Sequence, residues 1–248
     1  MGSTRLPGKI LKPILDKPML GRMLERVKRA KSLDAVVVAT TDNLEDDATA
    51  RLAKECGVGV FRGDERDVLD RFYRAAKEAK SKVVVRLTGD CPLMDPDVID
   101  LVVARLKVGQ EGIDYSSTPR NYPEGLDIEI FTFGALEEAA QRAELPSERE
   151  HVSPYIKNHP ERFKIESWKE GGDDNSKMHW SVDTDRDFDF VTKVFEKLYP
   201  SNSDFTKDDV LALLIRHPEF LEINQGGTGY EGLEKSLKED EKFKKKTL

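Results

Sequence analysis

The feature that most constrains this chain is a repeated change in the period of its apolar residues. AVVVAT (35–40) and KVVVRL (82–87) are short, continuous apolar runs rich in β-branched residues, and VGVF (58–61) is a third. Such runs predict strands buried on both faces. Between them the period switches to that of a helix. Met19, Leu20, Met23, Leu24 and Val27 share one face of a helix over 19–30. A second helix runs through Ala48 and Leu52 and stops at Gly57. Val68, Leu69, Phe72 and Ala76 mark a third over 68–79, and 96–107 reads as a fourth. Strands alternating with helices of this length predict an α/β fold built on a mainly parallel sheet.

The second half is less regular. DIEIFTF (127–133) alternates as a strand does, and a helix over 135–142 follows. Ser147 and Glu150 have the spacing of a capping box opening another helix. FKIES (163–167) and HWSVD (179–183) read as strands, and 188–198 and 207–216 as helices, the latter capped by Thr206. No internal repeat and no Pro/Gly-rich linker divides the chain, which predicts one domain over 1–224 and an extension over 225–248. The ending KFKKKTL reads as a solvated tail.

Composition removes several classes of function. With 248 residues the chain can bury a sizeable core, so disulfide or metal staples are not required. Two cysteines, Cys56 and Cys91, and four histidines show no metal-ligand spacing. His159-Pro160 and His217-Pro218 read as helix terminators, and Trp168 and Trp180 as packing residues. A net charge of −7 argues against attraction to nucleic acid, and no basic face is interleaved with aromatics. No apolar run approaches the ~18 residues of a membrane span. The start lacks the apolar core of a secretory signal, so a cytoplasmic protein is expected.

Chemistry concentrates in a few places. Gly2, Ser3 and Thr4 offer close backbone approach and hydroxyl donors, and Arg5 and Lys9 add a fork and a point charge. Lys17 lies within reach of the same anion. By its residues alone this segment is either a phosphate grip or a disordered basic terminus. Thr88-Gly89-Asp90 follows a buried strand, and Asp90 there either holds Mg²⁺ or caps the turn. Asp183, between a strand and a helix, is open to the same two readings. Arg86, on a buried strand, either salt-bridges internally or faces an anion.

G-S-T-R-L-P-G-K-I-L followed by D-K-P-M-L resembles the signature of the sugar-acid cytidylyltransferases, the CMP-KDO and CMP-acylneuraminate synthetases. The branch named after spore coat polysaccharide biosynthesis protein F is the closest in pattern. The similarity continues, in order, through VVVATTDN, VFRGDERDVLDRFYRAA, VVVRLTGDCPLMDPDVID, YPEGLDIEIF, SEREHVSPYI and WSVDTDRDFDFV. The resemblance implies a Rossmann-like, three-layer nucleotidyltransferase fold with a mostly parallel sheet. It also implies in-line attack by a sugar hydroxyl on the α-phosphorus of CTP, in surface polysaccharide synthesis, with Mg²⁺ as cofactor. It makes Arg5, Lys9 and Lys17 triphosphate cations and Asp90 and Asp183 the metal carboxylates. Ala39, Thr40, Thr41, Arg62, Gly63, Arg86, Thr88 and Gly89 would line the nucleotide pocket. Glu129, Arg149, Glu150 and His151 would line the sugar-acid pocket, although the last three also fit the decoration of a capped helix. A homodimer is plausible on the same ground.

The chain departs from that pattern at its start, where the family has a hydrophobic strand ending in Ala-Arg. The first strand is therefore expected to be missing, leaving two sheet edges unpaired. The simplest expectation is that the reading frame opens upstream of Met1; an in-frame stop codon immediately before Met1 would exclude it. Two competing readings stand beside the first. One is a nucleotidyltransferase for another sugar or NTP. The other is a non-catalytic nucleotide-sugar binding protein of a polysaccharide pathway.

Overall fold

The structure, a computed structural model, describes residues 5–108, 112–224 and 231–247. Near its start a short 3₁₀ turn (Lys9–Leu11) leads into a hairpin of β1 (Pro13–Ile14) and β2 (Lys17–Pro18), then α1 (Met19–Val27). β3 (Val37–Thr41), α2 (Asp47–Glu55), β4 (Gly59–Gly63), α3 (Val68–Glu78), β5 (Val83–Arg86) and α4 (Pro96–Val108) realise the predicted alternation. β6 (Tyr115–Ser117), β7 (Glu129–Thr132) and α5 (Phe133–Arg142) follow. The short α6 (Pro146–His151) and α7 (Pro154–Asn158) precede α8 (Asp185–Leu198), α9 (Lys207–Arg216) and the C-terminal α10 (Glu231–Thr247).

The strands fall into one layer with two parts. β3 and β4 pair in parallel, from Val37 opposite Gly59 to Thr41 opposite Gly63. β7 lies between β5 and β6 and is antiparallel to both, with Arg86 opposite Glu129. A core of Met19, Met23, Val98, Val102, Trp180, Val191 and Phe195 covers one face of both parts, touching Val36 and Val38 as well as Val85 and Leu87. A second core of Leu69, Phe131, Leu136, Val152 and Ile156 covers the other face of the β5–β7–β6 part, with Val84 packed on it, while α3 packs on β3 and β4. Two helical layers thus sandwich the strands, the three-layer arrangement expected.

Among the described residues, nothing pairs with the free edge of β3 or of β5. Both were expected to be buried on two faces, yet Val37 is 38% exposed and Val83 41%.

Other expectations need correction. FKIES and HWSVD form isolated bridges, Ile165 to Tyr115 and His179 to Glu124, in place of strands. In the second, Trp180 N–H donates to Glu124 O at 2.8 Å and Val182 N–H to Asp90 O at 2.8 Å. One segment thus stitches two different loops together, and a ladder along either never develops. The helix at 147 starts one residue earlier, at Pro146, and Glu148 is the residue that accepts from the backbone N–H of Glu144 and Leu145, each at 3.2 Å. α10 packs on α6, although Glu241–Lys245 are exposed, as a solvated ending requires.

Candidate active site

Gly8 adopts φ 68°, a left-handed conformation that glycine enters without a Cβ penalty, and it opens the turn that carries Lys9 inward. The Lys9 side chain is only 11% accessible. Its ammonium donates to Asp90 Oδ2 at 3.0 Å, Asp183 Oδ1 at 3.2 Å and Val182 O at 2.6 Å, so all three of its donors are engaged. Arg5 Nη2 lies 3.1 Å from the same Asp183 oxygen. The amino end and two loops far apart in sequence therefore meet in one place. Burial works against charge on both Lys9 and Asp90, but their mutual attraction prevails, raising the Lys9 pKa and lowering that of Asp90.

Asp183 is fixed from behind. Asp187 Oδ2 accepts from the backbone N–H of Asp183 at 3.1 Å and of Thr184 at 2.7 Å, while Thr184 caps α8. Asp187 in turn faces the buried His179, whose Nδ1 meets Glu124 Oε2 at 2.8 Å and whose Nε2 lies 3.7 Å from Asp187 Oδ1, an ion-pair spacing. Burial disfavours the imidazolium, yet these two carboxylates push its pKa up to about 10. Gly125, at φ 99°, permits this contact, because a Cβ there would lie 2.7 Å from Ser181 N.

The carboxylates of Asp90 and Asp183 converge on one cation position, which the Lys9 ammonium marks. Two hard oxygen donors at that spacing suit a divalent ion of the Mg²⁺ type. Glu124, His179 and Asp183 also bring ligand atoms within 4.8 Å of one another. His179 Nδ1 faces Glu124, and its Nε2 lies 3.3 Å from Ser181 Oγ, so both ring nitrogens are engaged within the protein.

A second cluster surrounds Glu129. Arg86 Nη1 is 2.7 Å from Glu129 Oε2, and Lys157 Nζ (3.1 Å), Ser153 Oγ (2.6 Å) and Tyr115 Oη (2.7 Å) all reach Oε1. Burial would raise the Glu129 pKa, but Arg86, Lys157 and the two hydroxyls bring it to about 2. Arg86 thus makes an internal salt bridge, one of the two readings left open. Its Nε remains buried without a hydrogen-bond partner. Asp127 links the clusters. Burial and the charges of Glu124 and Glu129 raise its pKa, although its side chain reaches solvent.

The remaining residues are placed as follows. Ala39, Thr40 and Thr41 end β3 beside Arg62 and Gly63 of β4. Thr40 and Thr41 hydroxyls donate to Asp46 at 2.9 and 2.5 Å, and Arg62 clamps Thr41 O at 2.8 Å and Asp47 at 2.5 Å. Thr88 lies 3.1 Å from Cys91 Sγ, and Gly89 is exposed beside Asp90. Lys17 is not drawn to the Lys9 cluster; its amine sits 3.3 Å from Glu25 on α1. Arg149 ties Asp67 to Ala140 O, and Glu150 and His151 meet Ser236 of α10. Gly2, Ser3 and Thr4 lie outside the described residues.

Sequence reading missed Glu124, Asp127, Ser153, Lys157 and His179. Their signal was present in YPEGLDIEIF, VSPYIK and HWSVD as polar residues within apolar segments, but only folding shows that they face one another. It also missed Arg71, buried on α3 with Nε and Nη1 unpartnered.

Comparison with known proteins gives a consistent picture. A family model described as cytidylyltransferase matches residues 1–236. An uncharacterized protein of Methanocaldococcus jannaschii is 39% identical over 229 residues, 90% of each chain. Spore coat polysaccharide biosynthesis protein SpsF of Bacillus subtilis is 31% identical, over 88% of this chain and 92% of its own. A shorter match, 35% over 111 residues and 44% of each chain, is to the 3-deoxy-manno-octulosonate cytidylyltransferase of Anaeromyxobacter dehalogenans. Among solved structures, a cytidylyltransferase from Leptospira borgpetersenii superposes with a TM-score of 0.84 at 38% identity, covering 93% of this chain and 95% of that one.

Proposed function

The chain belongs to the cytidylyltransferase family, and we propose that it transfers CMP from CTP to the hydroxyl of an acidic keto-sugar of the KDO or sialic-acid type, in surface polysaccharide synthesis. The observation that carries this reading is the meeting of Lys9, Arg5, Asp90 and Asp183 around one cation position. A triphosphate with a divalent ion needs cations for its phosphates and oxygen donors for its metal, and both kinds meet in this cluster.

Lys9 and Arg5 hold the triphosphate and offset the charge that accumulates on the departing pyrophosphate. Asp90 and Asp183 hold Mg²⁺, which when bound supplies charge neutralisation at the α-phosphate. The sugar hydroxyl oxygen forms the new bond to the α-phosphorus and gives up its proton to water, while the bond to the pyrophosphate oxygen breaks. Alignment of these groups, with no covalent enzyme intermediate, accounts for the rate. Ala39, Thr40, Thr41, Arg62, Gly63, Thr88 and Gly89 border the nucleotide. The Arg86–Glu129–Lys157 cluster borders the sugar acid, where Arg86 and Lys157 offer cations to a substrate carboxylate.

The test is pyrophosphate release from CTP and Mg²⁺ with 3-deoxy-manno-octulosonate and N-acetylneuraminate as acceptors, with other NTPs as comparison. Turnover with CTP and one of these acids is expected, abolished by Asp90→Asn. CTP binding with no turnover on any acid would replace this reading with that of a nucleotide-binding protein, and turnover with another NTP would reassign the donor.

A further inference from the structure

α10 is held to the body by polar anchors. Ser236 and Asp240, one helical turn apart on the same face, are 1% and 5% exposed, while Leu237 is 50% exposed and Phe243 39%. Asp240 accepts from Ser147 N–H at 2.9 Å and from Ser147 Oγ at 2.6 Å. Ser236 Oγ lies 2.5 Å from Glu150 Oε2 and 3.0 Å from His151 Nε2. The helix therefore grips α6 at both ends. Apolar faces can slide past one another, but buried polar groups are satisfied in one register only.

What is gripped needs holding. α6 spans six residues, too few to sustain a helix alone. It ends at Val152, a β-branched residue at φ 71°, a conformation that persists only where its surroundings impose it. Directly after it, Ser153 donates to Glu129. His151 stands two residues before Ser153, so the bond from Ser153 to Glu129 ties the end of α6 to that cluster. A continuous path thus runs from α10 through α6 to the Glu129 cluster.

We infer that Ser236 and Asp240 are positioning residues for the second substrate, with α10 setting His151 and Glu150 against the Arg86–Glu129–Lys157 cluster. This rests on the reading of that cluster as the sugar-acid side of the site. The consequence is selective. Loosening α10 disturbs the acceptor and leaves the nucleotide end, built on Lys9, Asp90 and Asp183, as it was.

The experiment uses the full chain carrying Ser236→Ala, Ser236→Thr, His151→Gln and the double variant Ser236→Ala/His151→Gln. Pyrophosphate release is followed against either acid at saturating CTP, and against CTP at saturating acid. Ser236→Ala should raise the KM for the acid about fivefold with the KM for CTP unchanged, Ser236→Thr should restore it, and the double variant should resemble His151→Gln alone. If His151→Gln raises the acid KM and Ser236→Ala does not, or if Ser236→Ala moves both KM values equally, the inference is overturned while the site assignment survives. If His151→Gln leaves the acid KM untouched, or neither acid is turned over, the assignment itself falls and the inference with it. Asp240→Asn gives a second measure that needs no substrate: faster amide exchange across 146–153 is expected, and unchanged exchange there overturns the inference.

Discussion

A single lysine carries the most chemistry. Lys9 holds Asp90 and Asp183 together, and in the proposed reaction it faces the phosphates. Lys9→Met should lower kcat by about 10²–10³, measured by pyrophosphate release, because a preorganised charge beside the leaving group is lost. The variant should still fold, since Asp90 and Asp183 remain partly accessible to water. Glu129 behaves differently, being enclosed by groups that require its charge. Its folded pKa of about 2 lies below the ordinary 4.5, so its contribution to stability is complete above pH 4.5 and is lost as pH falls toward 2. Denaturant titrations across that window should show the decline. Glu129→Gln should flatten it and cost about 3 kcal/mol at pH 7, by leaving Arg86 and Lys157 facing no carboxylate.

Elements are joined here by charged groups as much as by apolar packing. The 179–183 segment links the Glu124 loop, the Asp90 loop and the start of α8, and His179 is its pin. With a folded pKa of about 10 against an ordinary 6.5, its stabilisation is fully present below pH 6.5 and disappears as pH rises through 10. Tm should therefore decline from pH 6.5 to 10, and His179→Gln should remove most of that decline. A Tm that held level over this range in the wild-type chain would contradict the assigned imidazolium. Helix α8 shows the apolar counterpart. Phe190, Val191, Val194 and Phe195 form its buried stripe, and Phe195 meets the Phe205 ring edge-on at 5.3 Å. Phe195→Ala should cost ~3–5 kcal/mol, read from denaturant unfolding.

At the scale of the whole molecule, the divided sheet is the governing fact. β7 is paired on both sides, whereas β3 and β5 each offer an open edge among the described residues. Amides of Val37–Thr41 and Val83–Arg86 should exchange faster than those of Glu129–Thr132 in hydrogen–deuterium exchange, and equal protection would show that the open edges are covered in solution. No helix among the described residues is long and apolar enough to cross a membrane.

The alternation of apolar period was enough to read β3, β4, β5 and helices α1 to α4, because each element there carries its own stripe. It failed at 163–167 and 179–183, whose backbone partners come from other parts of the chain and satisfy only one or two groups each. Arg5, Lys9, Asp90 and Asp183 were legible as candidate charges, singled out by family resemblance, and the fold brings them together. Lys17 had the same local appearance, yet it turns to Glu25, because a lysine's reach is settled by the nearest carboxylate in space. The sequence by itself determined the layers and the candidate charges, since hydrophobic periodicity and residue chemistry are local properties. Only the tertiary structure decided that the Lys9 ammonium stands between two aspartates 93 residues apart, and that the chain's last helix grips the residues beside Glu129. Those pairings depend on which desolvated charges meet when the core closes, and no spacing along the chain encodes that.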